Sequence, residues 1–192
     1  MNNLNDTERW LLSYYRDGEL SGALFFGKMA RYLPAGPIQK DLTRHFADES
    51  EHASLWTDTL YQLGYKPVKI NDVYQDAYLD AAGLPINIME ILAITTVFED
   101  RVLSQYQKHY ALPGLNPQIA KTLKAIMDDE KWHILWIKKA LQNLEAVYGK
   151  NEIQKKLDYY KDADNQVYQK TKKENDQRFN FLFETNNTRD AA

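Results

Sequence analysis

The pattern D-E-x-x-H occurs twice in this chain, as DESEH at residues 48–52 and as DEKWH at residues 129–133. Glu130 and His133 of the second copy continue an apolar series with alternating steps of four and three residues: Ile119, Leu123, Ile126, Ile137, Ala140 and Leu144. Such steps place side chains one above another on the inward face of a packed helix. The first copy has the same register. Each copy therefore predicts a helix that buries a carboxylate beside an imidazole.

Two more helical patterns each contain one carboxylate on an otherwise apolar face, Glu19 in the first and Glu99 in the second. The buried polar groups thus occur in the chain order Glu, Glu-x-x-His, Glu, Glu-x-x-His, with one set for each long helix. Glu19 and Glu49 are 30 residues apart, and Glu99 and Glu130 are 31 apart. This repeated spacing indicates two similar helical hairpins that are joined by a longer connection.

These groups predict a metal site, because a buried carboxylate without a compensating charge is costly. The spacing of three residues puts the Glu and the His of each copy one turn apart on one helix face. Four carboxylates and two imidazoles suit two divalent transition ions, so we expect two Fe ions, with Mn or a mixed Mn/Fe pair as alternatives. The expected ligands are Glu19, Glu49, His52, Glu99, Glu130 and His133. The competing interpretation, a bundle with buried ion pairs and no metal, lacks enough cations on the inward faces.

Over about residues 5–145 this set of ligands resembles that of the ferritin-like di-iron carboxylate superfamily. The resemblance implies an all-α fold, a ferritin-like four-helix bundle with a long crossover between helices two and three, to which this chain adds a C-terminal helix. It also implies three ligand roles: bridging both metals (Glu49 and Glu130), holding one metal (Glu19 and His52) and holding the other (Glu99 and His133).

Asp48 and Asp129 each precede a ligand Glu. A metal-bound His usually donates its second N–H to a carboxylate or carbonyl, which fixes the tautomer. The resemblance implies that the Asp of one D-E-x-x-H helix reaches the His of the other, so that Asp129 orients His52 and Asp48 orients His133. Solvated Asp side chains are the alternative, because these residues lie ~100° from the inward face.

Tyr15, one turn before Glu19, is a candidate catalytic residue that can carry an electron or stabilise a radical. The alternative is packing, since the chain has 13 Tyr and 4 Trp. His45 lies two turns before His52 on the same face, and we expect it to surround the site or fill the core, because the ligand set is complete without it. Gly18 and Gly22 indicate either close helix packing or room for a ligand beside the metals.

Composition restricts the function further. The chain has 192 residues, 44% of them hydrophobic and 27% charged, which predicts one globular domain with a substantial core. The net charge of −3 gives no footprint for nucleic acid. The absence of cysteine excludes disulfides, Fe–S clusters and a rubredoxin-type iron site. With no flavin or nicotinamide fingerprint, electrons must come from an external donor or from the substrate.

Capping and turn residues predict the helix boundaries. Four long helices are expected at residues 6–33, 37–63, 85–110 and 117–148, with a short helix in the crossover of residues 65–84. The expected organisation is a di-metal bundle over residues 1–150, a C-terminal helix over 151–185 and a disordered tail over 186–192. The C-terminal helix packs on the bundle or on a partner chain, and a homodimer is one such arrangement. A polar N-terminus and the lack of a long apolar run predict a cytoplasmic protein without a membrane span.

The resemblance implies an oxidoreductase. The first hypothesis is an oxidase or oxygenase that activates O2 to oxidise a small or hydrophobic organic substrate, since the layout is similar to that of aldehyde-deformylating oxygenases. The second is a rubrerythrin-like peroxide reductase or a ferroxidase. Rubrerythrins typically have an extra carboxylate on helix three, and the neighbours of Glu99 offer none. The third is a non-catalytic metal-binding bundle.

Overall fold

The computed structural model describes residues 4–71 and 73–179, with the backbone alone over residues 170–179. This part of the chain forms six α-helices and contains no β-strand. The helices are α1 (Asp6–Tyr32), α2 (Pro37–Gln62), α3 (Tyr74–Ala82), α4 (Ile88–Tyr110), α5 (Pro117–Tyr148) and α6 (Lys150–Phe179). The all-α bundle predicted from the sequence is confirmed.

Side-chain caps fix the starts of α1, α4 and α5. The Asn5 side chain accepts the Glu8 N–H (2.8 Å), and the Glu8 carboxylate accepts the Asn5 N–H (2.9 Å), which is the reciprocal capping box that the sequence predicts for α1. Asn116 caps α5 by accepting the N–H of Gln118 (2.9 Å), with Pro117 at the first helical position.

The predicted start of the third long helix at Pro85 is wrong. This helix, α4, begins at Ile88, because the extended residue Asn87 accepts the Glu90 N–H (2.9 Å) through its side chain. The Glu90 carboxylate in turn accepts the N–H of Ile86 (3.1 Å). An Asn with free access to the first helical turn is a better cap than a proline, which has no side-chain acceptor.

The four long helices α1, α2, α4 and α5 surround the core. Helix α1 packs against α2, α4 packs against α5, and α2 also contacts α5. The inward series predicted for α5 is buried except at its end, where Leu144 is half-buried: Ile119, Leu123, Ile126, Ile137 and Ala140. The helical periodicity in the sequence therefore identifies the face of α5 that points into the bundle.

Helix α6 contacts α3, α4 and α5. Its buried residues include Ile153, Tyr160 and Val167, while Leu157 is half-buried. Arg101 of α4 forms a salt bridge with Asp164 of α6. The predicted end of this helix near residue 184 and the tail over 186–192 lie outside the described residues. None of the described helices is long and apolar enough to cross a membrane.

Candidate metal centre

Four helices direct seven titratable side chains into one region of the core. The seven are at most 5% exposed: Glu19 from α1, His45, Glu49 and His52 from α2, Glu99 from α4, and Glu130 and His133 from α5. Six of them are the residues that the sequence predicts as metal ligands. The structure brings all six together, and it adds His45, which the sequence analysis placed outside the ligand set.

The seven side chains form two overlapping groups, each with potential ligand atoms within 4.8 Å of one another. We call the group of Glu19, Glu49, His52 and Glu130 the Glu19 position. We call the group of His45, Glu49, Glu99 and His133 the Glu99 position. Glu49 belongs to both groups, so a carboxylate from α2 lies between the two positions.

Glu130 also reaches both positions. Its Oε1 atom lies 3.3 Å from Nδ1 of His52, and its Oε2 atom lies 2.9 Å from Nδ1 of His133. Oε1 of Glu49 is 3.9 Å from Nδ1 of His52 and 3.7 Å from Nδ1 of His133. The two carboxylates to which the resemblance gives a bridging role therefore face both histidines.

Glu19 and Glu99 each lie near one of the two histidines that the sequence predicts as ligands. Oε2 of Glu19 lies 3.8 Å from Nδ1 of His52, and Oε2 of Glu99 lies 3.8 Å from Nδ1 of His133. In both histidines Nδ1 faces the carboxylates and Nε2 points away from them. These imidazoles can therefore offer Nδ1 to a metal and keep a proton on Nε2.

Two aspartates are next to the outward nitrogens. Asp129 Oδ2 lies 3.4 Å from His52 Nε2, and Asp48 Oδ2 lies 3.4 Å from His133 Nε2. Both pairs are those that the resemblance implies, and each pair joins α2 to α5. The Asp129 side chain is half exposed, and that of Asp48 is less so. That the two aspartates fix the tautomers of the histidines stays a prediction.

The carboxylates perturb the titration of the metal-free site. Burial lowers the pKa of His52, but the nearby carboxylates of Glu130 and Glu19 outweigh it and raise this pKa to about 11. For His133, Glu130 and Glu99 likewise outweigh burial and raise the pKa to about 10. Burial and the nearby charges of Glu19 and Glu99 raise the pKa of Glu49 well above its usual value. A metal ion that binds here must therefore displace protons.

The residues present fit a metal centre. Within the described part of the chain, no Lys or Arg forms an ion pair with any of the four buried carboxylates. Glu130 Oε1, His52 Nδ1 and both ring nitrogens of His45 are buried without a hydrogen-bond partner. Buried polar atoms without partners are rare and costly, and divalent ions would satisfy these donors and offset the carboxylate charge. The buried His and Glu groups can thus hold metal.

Tyr106 is an aromatic residue that forms a hydrogen bond with a predicted metal ligand. Its hydroxyl donates a hydrogen bond to Glu19 Oε1 and accepts one from Trp56 Nε1 (3.1 Å). The hydroxyl of Tyr15, the residue predicted from the sequence, has no hydrogen-bond partner among the described residues. The Tyr15 ring packs edge-on against Tyr106, with 4.8 Å between centroids. In the sequence, the only indication that Tyr106 lies near the site is its position seven residues, about two helical turns, after Glu99.

The two glycines near Glu19 accommodate side chains of the protein itself. A Cβ atom at Gly22 would lie 2.6 Å from Glu49 Oε2, and one at Gly18 would lie 2.9 Å from Gln75 Nε2. Gly22 therefore leaves room for a carboxylate of the metal centre. Beside Gly18, Glu19 and Tyr106 lies a cavity of about 20 Å³, which has room for roughly one water molecule.

No protein-family model, no curated protein and no solved structure matches this chain. Functional inference therefore depends on the buried residues and their geometry.

Proposed function

We propose that this protein is an oxidoreductase with a dinuclear metal centre, built on a ferritin-like four-helix bundle in which residues 63–87 form the crossover. The observation that supports the proposal best is the pair of overlapping ligand groups, which share Glu49 and together contain four buried carboxylates that no Lys or Arg of the described residues pairs with. Two Fe ions, two Mn ions or a mixed pair would balance these charges.

The proposed roles follow from the positions of the side chains. Glu49 and Glu130 face both positions and would bridge the two ions. Glu19 and Glu99 would each be a ligand at one position only. Bound at these residues, such ions would supply the redox chemistry with O2 or a peroxide, with an external donor as the source of electrons. The fold shields these side chains from bulk solvent, because all of them are at most 5% exposed.

Other residues hold the ligands in place. The Tyr106 hydroxyl donates to Glu19 Oε1, which fixes the orientation of this carboxylate. Trp56 Nε1 donates to the same hydroxyl, so that the proton of Tyr106 is directed at Glu19. Asp48 and Asp129 would retain a proton on Nε2 of His133 and of His52, which leaves Nδ1 of each ring free to bind metal.

The reaction that we favour is oxidation of a small or hydrophobic organic substrate with O2. A second candidate is reduction of peroxide or oxidation of Fe(II), as in rubrerythrin-like proteins and ferroxidases. The size of the cavity beside Glu19, about 20 Å³, favours this second candidate, because it admits only a very small reactant without a rearrangement.

Anaerobic loading with Fe(II), metal counting and rapid mixing with O2 or H2O2 test the proposal. We expect two Fe(II) per chain and rapid consumption of O2. Slow consumption of O2 with fast consumption of H2O2 would favour the peroxide reductase instead. A protein that binds no stoichiometric metal would contradict the dinuclear centre.

Glu99 and Glu90 provide a matched pair of variants, because both are buried carboxylates of α4. Glu90 lies outside the metal centre, where it pairs with Lys156 at 2.8 Å. We expect Glu99→Gln to bind fewer than two Fe(II) with its helical content unchanged, and Glu90→Gln to bind two. Equal binding of two Fe(II) by both variants would show that Glu99 is not a ligand.

A further inference from the structure

His45 is a third histidine inside the candidate metal centre. It lies one turn before Glu49 on α2, and its side chain is completely buried. Its Nε2 atom is 3.0 Å from Glu99 Oε1 and 3.3 Å from Glu49 Oε1. These are the distances of neighbouring donor atoms around one site, and His45 belongs to the Glu99 position with His133.

Neither ring nitrogen of His45 forms a hydrogen bond of acceptable geometry with the described residues. The His45 ring stacks on the His133 ring, with 3.6 Å between their centroids. It also contacts the Phe26 ring, with 4.2 Å between centroids. Aromatic neighbours fix the ring but satisfy neither nitrogen. A buried polar group without a partner costs stability, so an imidazole in this place needs a ligand that accepts its lone pair.

We propose that His45 is a seventh metal ligand and that the two metal positions are therefore chemically different. The Glu99 position would have two imidazoles, from His45 and His133, whereas the Glu19 position would have one, from His52. This inference rests on the dinuclear centre proposed above, and it adds a ligand and an order of metal binding to that centre.

The difference in donors has a consequence for metal choice. Imidazole suits Fe, Zn and other later first-row ions, whereas carboxylate oxygens suit Mn. The Glu99 position therefore binds Fe(II) or Co(II) before the Glu19 position does. The oxygen-rich Glu19 position accepts the second ion, and it tolerates Mn(II) better. The protein consequently loads in two distinct steps and can hold a mixed pair.

The competing explanation is that His45 donates an Nε2 hydrogen bond to the carboxylate of Glu99 and binds no metal. The two explanations differ in the number of imidazoles on the metals, which is three if His45 is a ligand and two if it is not. Co(II) is a suitable probe, because it shifts the proton resonances of coordinated imidazole N–H groups far outside the normal range.

The test combines a Co(II) titration with proton NMR on the wild type, His45→Phe and His109→Phe. Phe at position 45 keeps the ring that stacks on His133. His109 is the control, because it is a buried histidine that belongs to neither metal position. We expect two resolved binding steps and three shifted N–H resonances in the wild type and in His109→Phe.

In His45→Phe we expect two shifted resonances and a first binding step that is at least about tenfold weaker, since loss of even an outer partner of a ligand costs this much. Two shifted resonances in the wild type, or unchanged binding steps in His45→Phe, would overturn the role of His45 and leave the dinuclear centre standing. A wild type that binds no Co(II) would overturn both. The count in the wild type needs no variant, so misfolding of His45→Phe leaves the test decisive.

Discussion

Gly22 shows at the scale of one residue how the helices make room for the proposed metal ligands. A Cβ atom at this position would lie 2.6 Å from Glu49 Oε2, well inside the contact distance of the two atoms. The carboxylate of Glu49 occupies the space that a side chain at position 22 would fill. Glycine inside a helix costs about 1 kcal/mol relative to alanine, so we infer that room for Glu49 offsets this cost.

Gly22→Ala should lower metal affinity by at least about tenfold, because Glu49 must move away from both metal positions. The metal-free protein should be no less stable, since alanine favours the helix. Gly27→Ala is the control: its Cβ would meet Phe46 at 3.1 Å, and the partly exposed Phe46 ring can move. Calorimetric titration with Co(II) and thermal unfolding measure both effects. Equal metal affinity in the two variants would show that Glu49 needs no such space.

Tyr106 and Tyr15 form a second matched pair. Tyr106→Phe removes the hydroxyl that donates to Glu19, whereas Tyr15→Phe removes a hydroxyl without a partner among the described residues. We expect Tyr106→Phe to weaken metal binding at the Glu19 position by about 10- to 100-fold, the usual cost of losing a partner of a ligand. Tyr15→Phe should bind metal like the wild type. If Tyr15→Phe alone impaired the reaction with O2, the redox role predicted for Tyr15 would gain support instead.

At the scale of elements, α6 is attached to the bundle by a buried polar cluster. Asp164 of α6 pairs with Arg101 of α4 and accepts a hydrogen bond from the Tyr74 hydroxyl of α3. The Tyr78 hydroxyl donates to the carbonyl of Tyr160 (3.0 Å). These contacts hold α3 and α6 against α4. Arg101 follows Glu99 by two residues, so α6 supports the part of α4 that carries this proposed metal ligand.

Asp164→Asn should destabilise the metal-free protein by about 2 kcal/mol, because it weakens a charged hydrogen bond and leaves Arg101 without its counter-charge. Asp158→Asn on the exposed side of α6 should have little effect, since among the described residues Asp158 accepts just one exposed hydrogen bond, from Gln154. Urea unfolding of the two variants provides the comparison. The number of metals bound should stay at two in both, because neither residue belongs to a metal position.

The sequence predicts the elements well where local signals determine them. Asn5 with Glu8 and Asn116 with Pro117 mark the starts of α1 and α5, and the structure confirms both. Pro85 misled the prediction for α4, because a proline signals a helix start only when no better cap follows within a few residues. The contacts of α6 could not be predicted, since they depend on a charge pair between residues 63 positions apart.

At the scale of the whole molecule, the four carboxylates of the candidate metal centre are a source of instability that metal would remove. Within the described part of the chain, the ion-pair partners of these four groups are all histidines. Metal that binds only the folded chain stabilises it by an amount that grows with the logarithm of the ratio of metal concentration to dissociation constant. The free energy of unfolding should therefore depend strongly on the metal supplied.

Fe(II) or Co(II) at 100 times the dissociation constant should stabilise the fold by about 2.7 kcal/mol for each site, which raises the melting temperature by on the order of 5–10 °C per site in a protein of this size. Mg²⁺ is the control, because it prefers oxygen ligands and keeps its waters. Thermal unfolding in the presence of each ion, and after chelation, measures the effect. Equal melting temperatures with Mg²⁺ and Co(II) would argue against imidazole ligation.

The sequence predicts the inward polar groups of the whole bundle because helical periodicity alone assigns Glu19, Glu49, Glu99 and Glu130 to inner faces. The sequence does not predict the distances between helices or the rotation of each helix about its axis. These decide whether His45 lies beside Glu99 or packs among apolar side chains. The same rotation directs Tyr106 at Glu19 and leaves the Tyr15 hydroxyl without a partner among the described residues. Contacts of this kind depend on packing between distant segments, which no single periodic pattern contains.

Glu49 would couple the metal affinities of the two positions. Because its carboxylate belongs to both ligand groups, an ion in one position restricts the orientations that the other position can use. Such a coupling free energy is reciprocal: the first ion changes the affinity for the second by the same factor as the second changes that for the first. Cooperativity between the two ions would therefore pass through Glu49, with Glu130 as the second carboxylate that faces both positions.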